Sequence, residues 1–207
     1  MSLLLLGVSS QGVGLNIAEK AIAQGIKVTA VVRRQGVADY LREQGATVLH
    51  ADAVEVGVLD QACQLAGSNA TVVSTLCGVN DQGEILDFEL NKRLIDAAEK
   101  HGLKRMVLVT SLGCGDSWQY LSLNARQAFG TFVRYKSLAE SWLQTSTLHY
   151  VILRPGGLNN DEESGNILLS QREVHGSISR SDVAQQALNF ALKLELDNAA
   201  FGLVNAS

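Results

Sequence analysis

The residues best suited to chemistry in this sequence sit where apolar runs give way to turns. The first group is Gly7-Val8-Ser9-Ser10-Gln11-Gly12-Val13-Gly14, after the apolar run 3–6 and before a helical pattern. Such a turn can reverse tightly, lay backbone against a pyrophosphate and aim a helix N-terminus at its charge. Ser9 and Ser10 add hydroxyl donors. The same turn could join strand to helix with no ligand; the strand before and helix after it favour the dinucleotide reading. Arg33-Arg34 closes the next β-branched run, where an NAD site usually holds an acidic residue for the ribose 2′-hydroxyl. A guanidinium there meets a 2′-phosphate bidentately, which favours NADP(H) over NAD(H). The bland alternative is a solvated strand end.

Further positions follow at the ends of later runs. Asp52-Ala53, after the third, is placed to meet an adenine or to make a simple turn. Leu76-Cys77-Gly78, after the fourth, should pass beside the cofactor, with glycine permitting close approach. Ser111 after the fifth run and Pro155-Gly156-Gly157 after the sixth should border the nicotinamide, because strand C-termini at a switch point carry the ligands. Lys136 shares a helical face with Phe129, Phe132, Ala139 and Leu143. An ammonium on that stripe needs a polar end-point, which a cofactor ribose would supply and snorkelling to water would replace. Trp118 and Tyr120 offer an aromatic platform for an acceptor, or ordinary packing. Asn91, on the face of Phe88 and Ile95, reads first as a satisfied packing amide.

The elements that must position these residues alternate along the chain. Strand-like runs occupy 3–6, 27–32, 46–49, 70–74, 105–110, 149–153 and 201–204. Most are continuously apolar, as parallel strands covered on both faces should be. Helical spacing marks 14–24, 85–101, 120–144 and 183–194, the last opened by the capping box Ser179-Arg180-Ser181-Asp182. The pattern predicts a doubly wound, mostly parallel sheet of about seven strands between two helical layers. The stretch 157–179 is irregular and reads as a small C-terminal elaboration with a short hairpin near 167–178.

Composition narrows the function classes. A length of 207 residues predicts one domain, 46% apolar content fills a core, and 18% charged residues argues against disorder. Seventeen basic against twenty-one acidic residues, a net charge of −4, leave no tract to follow a phosphate backbone, so nucleic acid is not expected as a partner. No run is long enough for a bilayer, and the start lacks a signal-peptide pattern, so no membrane partner and a cytoplasmic setting are expected. Cys63, Cys77 and Cys114 have neither disulfide nor zinc spacing.

Several collinear segments together resemble the atypical short-chain dehydrogenase/reductases, the NAD(P)H-binding group with NmrA-like proteins and biliverdin-IXβ or flavin reductases. The segments are 7–14, 31–34, 94–98, 107–111, 136–140, 150–156 and 178–184, and they cover nearly the whole chain. Tyr150-Val151-Ile152-Leu153-Arg154-Pro155-Gly156 and the piece from Ser179 to Ala184 are the more specific. The glycine turn departs from the family's GxxGxxG by one added residue, with Ser10 where glycine is common. The resemblance implies a single Rossmann-type domain over 1–207. It also places Ser111 and Lys136 in the positions of the superfamily's catalytic serine and lysine. The tyrosine four residues before that lysine, a proton donor, is Phe132 here. Tyr135 lies about 100° around the helix and cannot simply replace it.

A simple ketone gains roughly two to four orders of magnitude from a positioned acid. Without one, a conjugated acceptor that spreads negative charge and is protonated from water fits better. The expected activity is therefore NADPH-dependent hydride transfer to a planar acceptor of flavin, quinone or bilin type. The alternative is a non-enzymatic NADP(H) sensor of the NmrA type. A sugar-nucleotide epimerase fits less well, because only about fifty residues follow Pro155. The long helix offers a face on which a second copy of the chain can pair.

Overall fold

The computed structural model describes residues 1–206. Ten strands and six helices follow in the order β1 (Ser2–Leu6), α1 (Val13–Ala23), β2 (Lys27–Val32), α2 (Gln35–Glu43), β3 (Thr47–His50), α3 (Val58–Ala66), β4 (Ala70–Ser74), α4 (Asp87–Lys100), β5 (Arg105–Val109), α5 (Leu123–Gln144), β6 (His149–Pro155), β7 (Gly157–Asn159), β8 (Ile167–Ser170), β9 (Ser177–Ser179), α6 (Arg180–Ala191) and β10 (Ala199–Asn205). A 3-10 segment, Gly115–Tyr120, precedes α5.

Eight strands form one sheet in the order β3-β2-β1-β4-β5-β6-β10-β8, and all neighbours are parallel except β8 against β10. From β1 the chain winds outward through β2 and β3, then returns to β4 on the other side. The switch point between β1 and β4 is where such sheets bind ligands beyond their strand ends. Leu3, Leu4, Leu5 and Leu6 are all buried, and their alternation explains why the run is continuously apolar. Leu3 and Leu5 pack under α1, α2 and α6, while Leu4 and Leu6 pack under α3, α4 and α5. Each such side chain stabilises the fold by roughly 1.5–3 kcal/mol.

The structure differs from the sequence expectations at helix starts and in the elaboration. Ile85 lies outside α4 and forms an isolated bridge with Val79. Tyr120 lies outside α5, because Leu121 and Ser122 are extended and the Ser122 hydroxyl accepts the Ala125 N–H at 3.2 Å as the helix cap. The last helix starts three residues earlier than the spacing indicated, capped by Ser179, whose hydroxyl accepts the Asp182 N–H.

The predicted hairpin does not form. β8 adds antiparallel to the sheet edge at β10, and β9 pairs in parallel with β7. Residues 171–176 between them contain no two-residue turn of the kind that closes a hairpin, and they arch over the strand ends instead. Asp182 anchors the segment before β8. Its carboxylate accepts N–H groups from Ser164 and Gly165, the Ser164 hydroxyl and the Asn205 amide, at 2.6–3.2 Å.

Candidate active site

The glycine turn is shaped by a contact that sequence reasoning missed. Gly7 has φ +84°, and a Cβ there would lie 2.4 Å from the carbonyl carbon of Thr75. Only glycine satisfies both conditions. Thr75 in turn fixes the turn: its N–H donates to Leu6 O at 2.9 Å and its hydroxyl to Gly7 O at 3.0 Å. Gly12 begins α1 with no side-chain cap and no acidic residue in the first turn, so the helix N-terminus is left for an anion. A cradle that a methyl group would fill, next to an uncapped helix of eleven residues, fits a dinucleotide pyrophosphate.

Two adjoining cavities extend from this turn. One gathers Gly7, Ser9, Arg33, Asp52, Ala53, Leu76, Cys77 and Gly78. Arg33 reaches Asp52 (Nη1 to Oδ2, 3.3 Å), and Arg34 donates to the Ser10 hydroxyl at 3.3 Å. Both arginines thus border the corner between the second strand and the glycine turn. Asp52 also accepts the Val54 N–H, so it serves as a turn residue as well as a cavity wall. Cys77 is exposed, whereas burial pushes the Cys63 and Cys114 thiols up to about 12.

The second cavity, of about 720 Å³, runs from Gly7 through Ser10, Gln11, Gly12, Val13 and Arg34 to Ser111, Lys136, Pro155, Gly156 and Gly157. Phe129 and Phe132 line its apolar wall, so Phe132 faces the groove as a ring without a proton to give. Lys136 does have a polar end-point, but it is a protein carboxylate. Its Nζ lies 2.5 Å from Asp87 Oδ1, an oxygen with no other partner. The other oxygen accepts the Gly78 N–H at 3.0 Å. Asp87 is 1% exposed and thus ties α5 to the turn after β4. From sequence alone it reads as an ordinary acid in a helix's first turn. Asn91 is the packing amide expected: it accepts the Ser74 hydroxyl at 2.6 Å and donates to Leu76 O and Asp87 O.

A third cavity, of about 250 Å³, opens beyond the strand ends. It shares Ser111, Phe129, Pro155, Gly156 and Gly157 with the groove. Gly156 is confined here, since a Cβ would stand 2.3 Å from Gly176 O. Beneath the cavity Arg154 is held by Glu140 (Nη2 to Oε2, 2.7 Å) and Asp116 (Nη1 to Oδ1, 2.5 Å). Glu140 also accepts the Thr110 hydroxyl at 2.6 Å. These carboxylates hold the guanidinium charged despite its burial. Tyr120 lines this cavity, but Trp118 does not. The Trp118 ring lies against α5 with Arg126 and Arg134 about 5 Å from its centroid, so the expected two-ring platform is absent.

Among the described residues no cluster of side chains suits a metal ion, and no helix is long and apolar enough to cross a membrane. A family model for NAD(P)H-binding domains matches residues 9–193. The chain belongs to the NAD(P)H-binding family. Among solved structures it is similar to ChuY, an anaerobillin reductase from Escherichia coli O157:H7. The two are 42% identical with a TM-score of 0.94, over all of this chain and 98% of that one. ChuY from E. coli strain CFT073 is 41% identical with a TM-score of 0.87 over the same shares. Sanguinarine reductase from Eschscholzia californica is 33% identical over 126 residues, which span 58% of this chain and 45% of that protein. This chain is thus a Rossmann-type NAD(P)H-binding protein whose solved and curated relatives include reductases.

Proposed function

We propose that this NAD(P)H-binding protein reduces a planar conjugated acceptor of bilin, flavin or quinone type, with NADPH as the electron source. NADPH, when bound, supplies a hydride to the acceptor, and water supplies the proton. The glycine turn and the α1 N-terminus receive the pyrophosphate, Arg33 and Arg34 the 2′-phosphate, and Asp52 and Ala53 the adenine side. Leu76, Cys77 and Gly78 flank the groove, and Lys136 borders it at the ribose of the reacting end. Pro155, Gly156 and Gly157 lay backbone beside the nicotinamide.

The carrying observation is the make-up of the junction between the groove and the third cavity. The shared residues are Ser111, Phe129, Pro155, Gly156 and Gly157. None is a general acid at neutral pH, and Phe132 adds only an apolar ring. Those five residues can position two flat molecules and exclude water from their contact, but none of them can protonate an alkoxide. The Ser111 hydroxyl remains to orient the acceptor or the carboxamide. The likeness to an anaerobillin reductase and to sanguinarine reductase supports the same reading.

The test is NADPH oxidation, followed by absorbance under anaerobic conditions, with a linear tetrapyrrole, FMN and a quinone offered in turn. Turnover of at least one, with simple ketones inert, is expected. Tight NADP⁺ binding with no turnover of any acceptor would refute the reductase reading and leave the sensor.

A further inference from the structure

The groove that runs from the glycine turn is positive in a chain that is not. Arg34, Lys136 and Arg180 line it, and among the described residues no carboxylate does. The chain as a whole has seventeen basic against twenty-one acidic residues. Asp87 neutralises Lys136. Arg34 donates to the Ser10 hydroxyl, and Arg180 donates from Nη1 to Asn159 O at 3.1 Å and to Asn160 Oδ1 at 2.9 Å. Those acceptors are neutral, and neither arginine has an ion-pair partner among the described residues. The acids next to Arg180 in the fold are engaged elsewhere. Asp182 is held by Ser164, Gly165 and Asn205, and Glu163 by Lys20 and the Ser181 hydroxyl. Asp161 and Glu162 are exposed and lie outside the groove lining. Arg180 is itself half-buried. A guanidinium fixed by neutral acceptors at the wall of a groove is a receptor for an anion.

Chain topology brings that guanidinium to the glycine turn. α1 leaves the C-terminal end of β1, and α6 leads into β10, which runs parallel to β6. Both helices therefore begin at the sheet edge where the groove opens. They pack in one core through Val13, Ile17, Ala21, Val183 and Ala187. Lys20 of α1 and Ser181 of α6 both bind Glu163, which ties the two helices together. Gly12 and Val13 at the start of α1 and Arg180 at the start of α6 all line the groove. An uncapped helix N-terminus offers about half an elementary charge to the roughly two negative charges of a pyrophosphate. We infer that Arg180 supplies further positive charge to that pyrophosphate, as a second contact beside the α1 N-terminus. The inference rests on the cofactor placement proposed above and adds to it a residue from the other end of the chain. Arg33 and Arg34 distinguish NADPH from NADH, whereas Arg180 faces the group that the two share and holds both alike.

Binding is measured without turnover, by calorimetric titration of the wild-type protein, Arg180→Gln and Arg180→Lys with NADP⁺ and with NAD⁺, at low and at high salt. Glutamine keeps an N–H donor for Asn159 O but removes the charge, and cofactor-free melting curves check that both variants fold as the wild type does. Arg180→Gln is expected to raise the Kd of both dinucleotides about tenfold and by the same factor. That factor should shrink as salt screens the pair, and Arg180→Lys should keep part of the affinity. Unchanged Kd values in Arg180→Gln overturn the inference. A loss confined to NADP⁺ also overturns it, because Arg180 would then serve the 2′-phosphate. So does an equal loss in both variants at every salt concentration, which marks a merely structural role. Each of these outcomes leaves the cofactor placement standing. A wild-type protein that binds neither dinucleotide overturns both.

Discussion

Replacing Asp87 with asparagine isolates the lock between α4, α5 and the turn after β4. The side chain keeps its shape, and Gly78 keeps an acceptor oxygen, but Lys136 loses its one ion-pair partner among the described residues. Removing one partner of a buried pair costs about 3–5 kcal/mol. The Lys136 side chain is 18% exposed, so water recovers part of that loss and about 2–3 kcal/mol is expected. At about 2–4 °C per kcal/mol for a domain of this size, the melting temperature falls by about 5–10 °C. The released ammonium and loosened Gly78 turn also border the cofactor groove, so the Kd for NADP⁺ should rise about tenfold. The assays are denaturant unfolding and calorimetric titration on Asp87→Asn, Lys136→Met and the double variant. The double variant should be more stable than the sum of the single losses indicates, because it leaves no unpaired charge. Additivity within about 0.3–0.5 kcal/mol would refute the lock.

Arg33→Ala with Arg34→Ala should weaken NADPH about ten- to a hundredfold while leaving NADH nearly unchanged, measured as the ratio of the two Kd values. An unchanged ratio removes the 2′-phosphate assignment. Gly7→Ala forces a methyl against the Thr75 carbonyl and strains φ, so a loss of at least about 2 kcal/mol in chemical unfolding is expected, together with loss of NADP⁺ binding. The Asp182 carboxyl is pulled down to about 2, below its ordinary value, by the Asn205 amide and by the Ser164 and Gly165 donors, which together outweigh its desolvation. A depressed carboxyl stabilises the fold above its unfolded pKa, and that contribution drains away as pH falls from about 4 to about 2. Asp182→Asn should flatten the stability profile in that window, and an unaltered acid limb would contradict the assignment.

The framework was legible because each signal was local. Runs such as 3–6 are apolar without alternation since both sheet faces are covered, and the glycine turn sits between a strand and a helix that declare themselves separately. What escaped depends on pairs far apart in the chain. Asp87 and Lys136 are separated by forty-nine positions, and neither suggests the other. Thr75 gains meaning only because β4 lies beside β1 and its hydroxyl meets Gly7. The hairpin failed for the same reason: an open edge on β10 captured β8, and no local turn competed for it. Trp118 and Tyr120 are two residues apart, but only the geometry of the 3-10 segment decides which of them faces the cavity.

The missing tyrosine also has a different weight once the lysine's partner is known. In a tyrosine–lysine arrangement the ammonium lowers the phenol's pKa by lying near it with charge to spare. Here that charge is spent on Asp87, a carboxylate buried to 1% exposure. The absence at Phe132 is therefore more than a single lost hydroxyl, because a tyrosine placed there would face a lysine already neutralised by its partner. The groove instead carries the apolar rings of Phe129 and Phe132 and keeps its ionic pairs beneath or beside it, as Lys136–Asp87 and Arg154–Glu140. The third cavity also has a wall that is not set by the sheet, the arch over 171–176, which lies between β8 and β9.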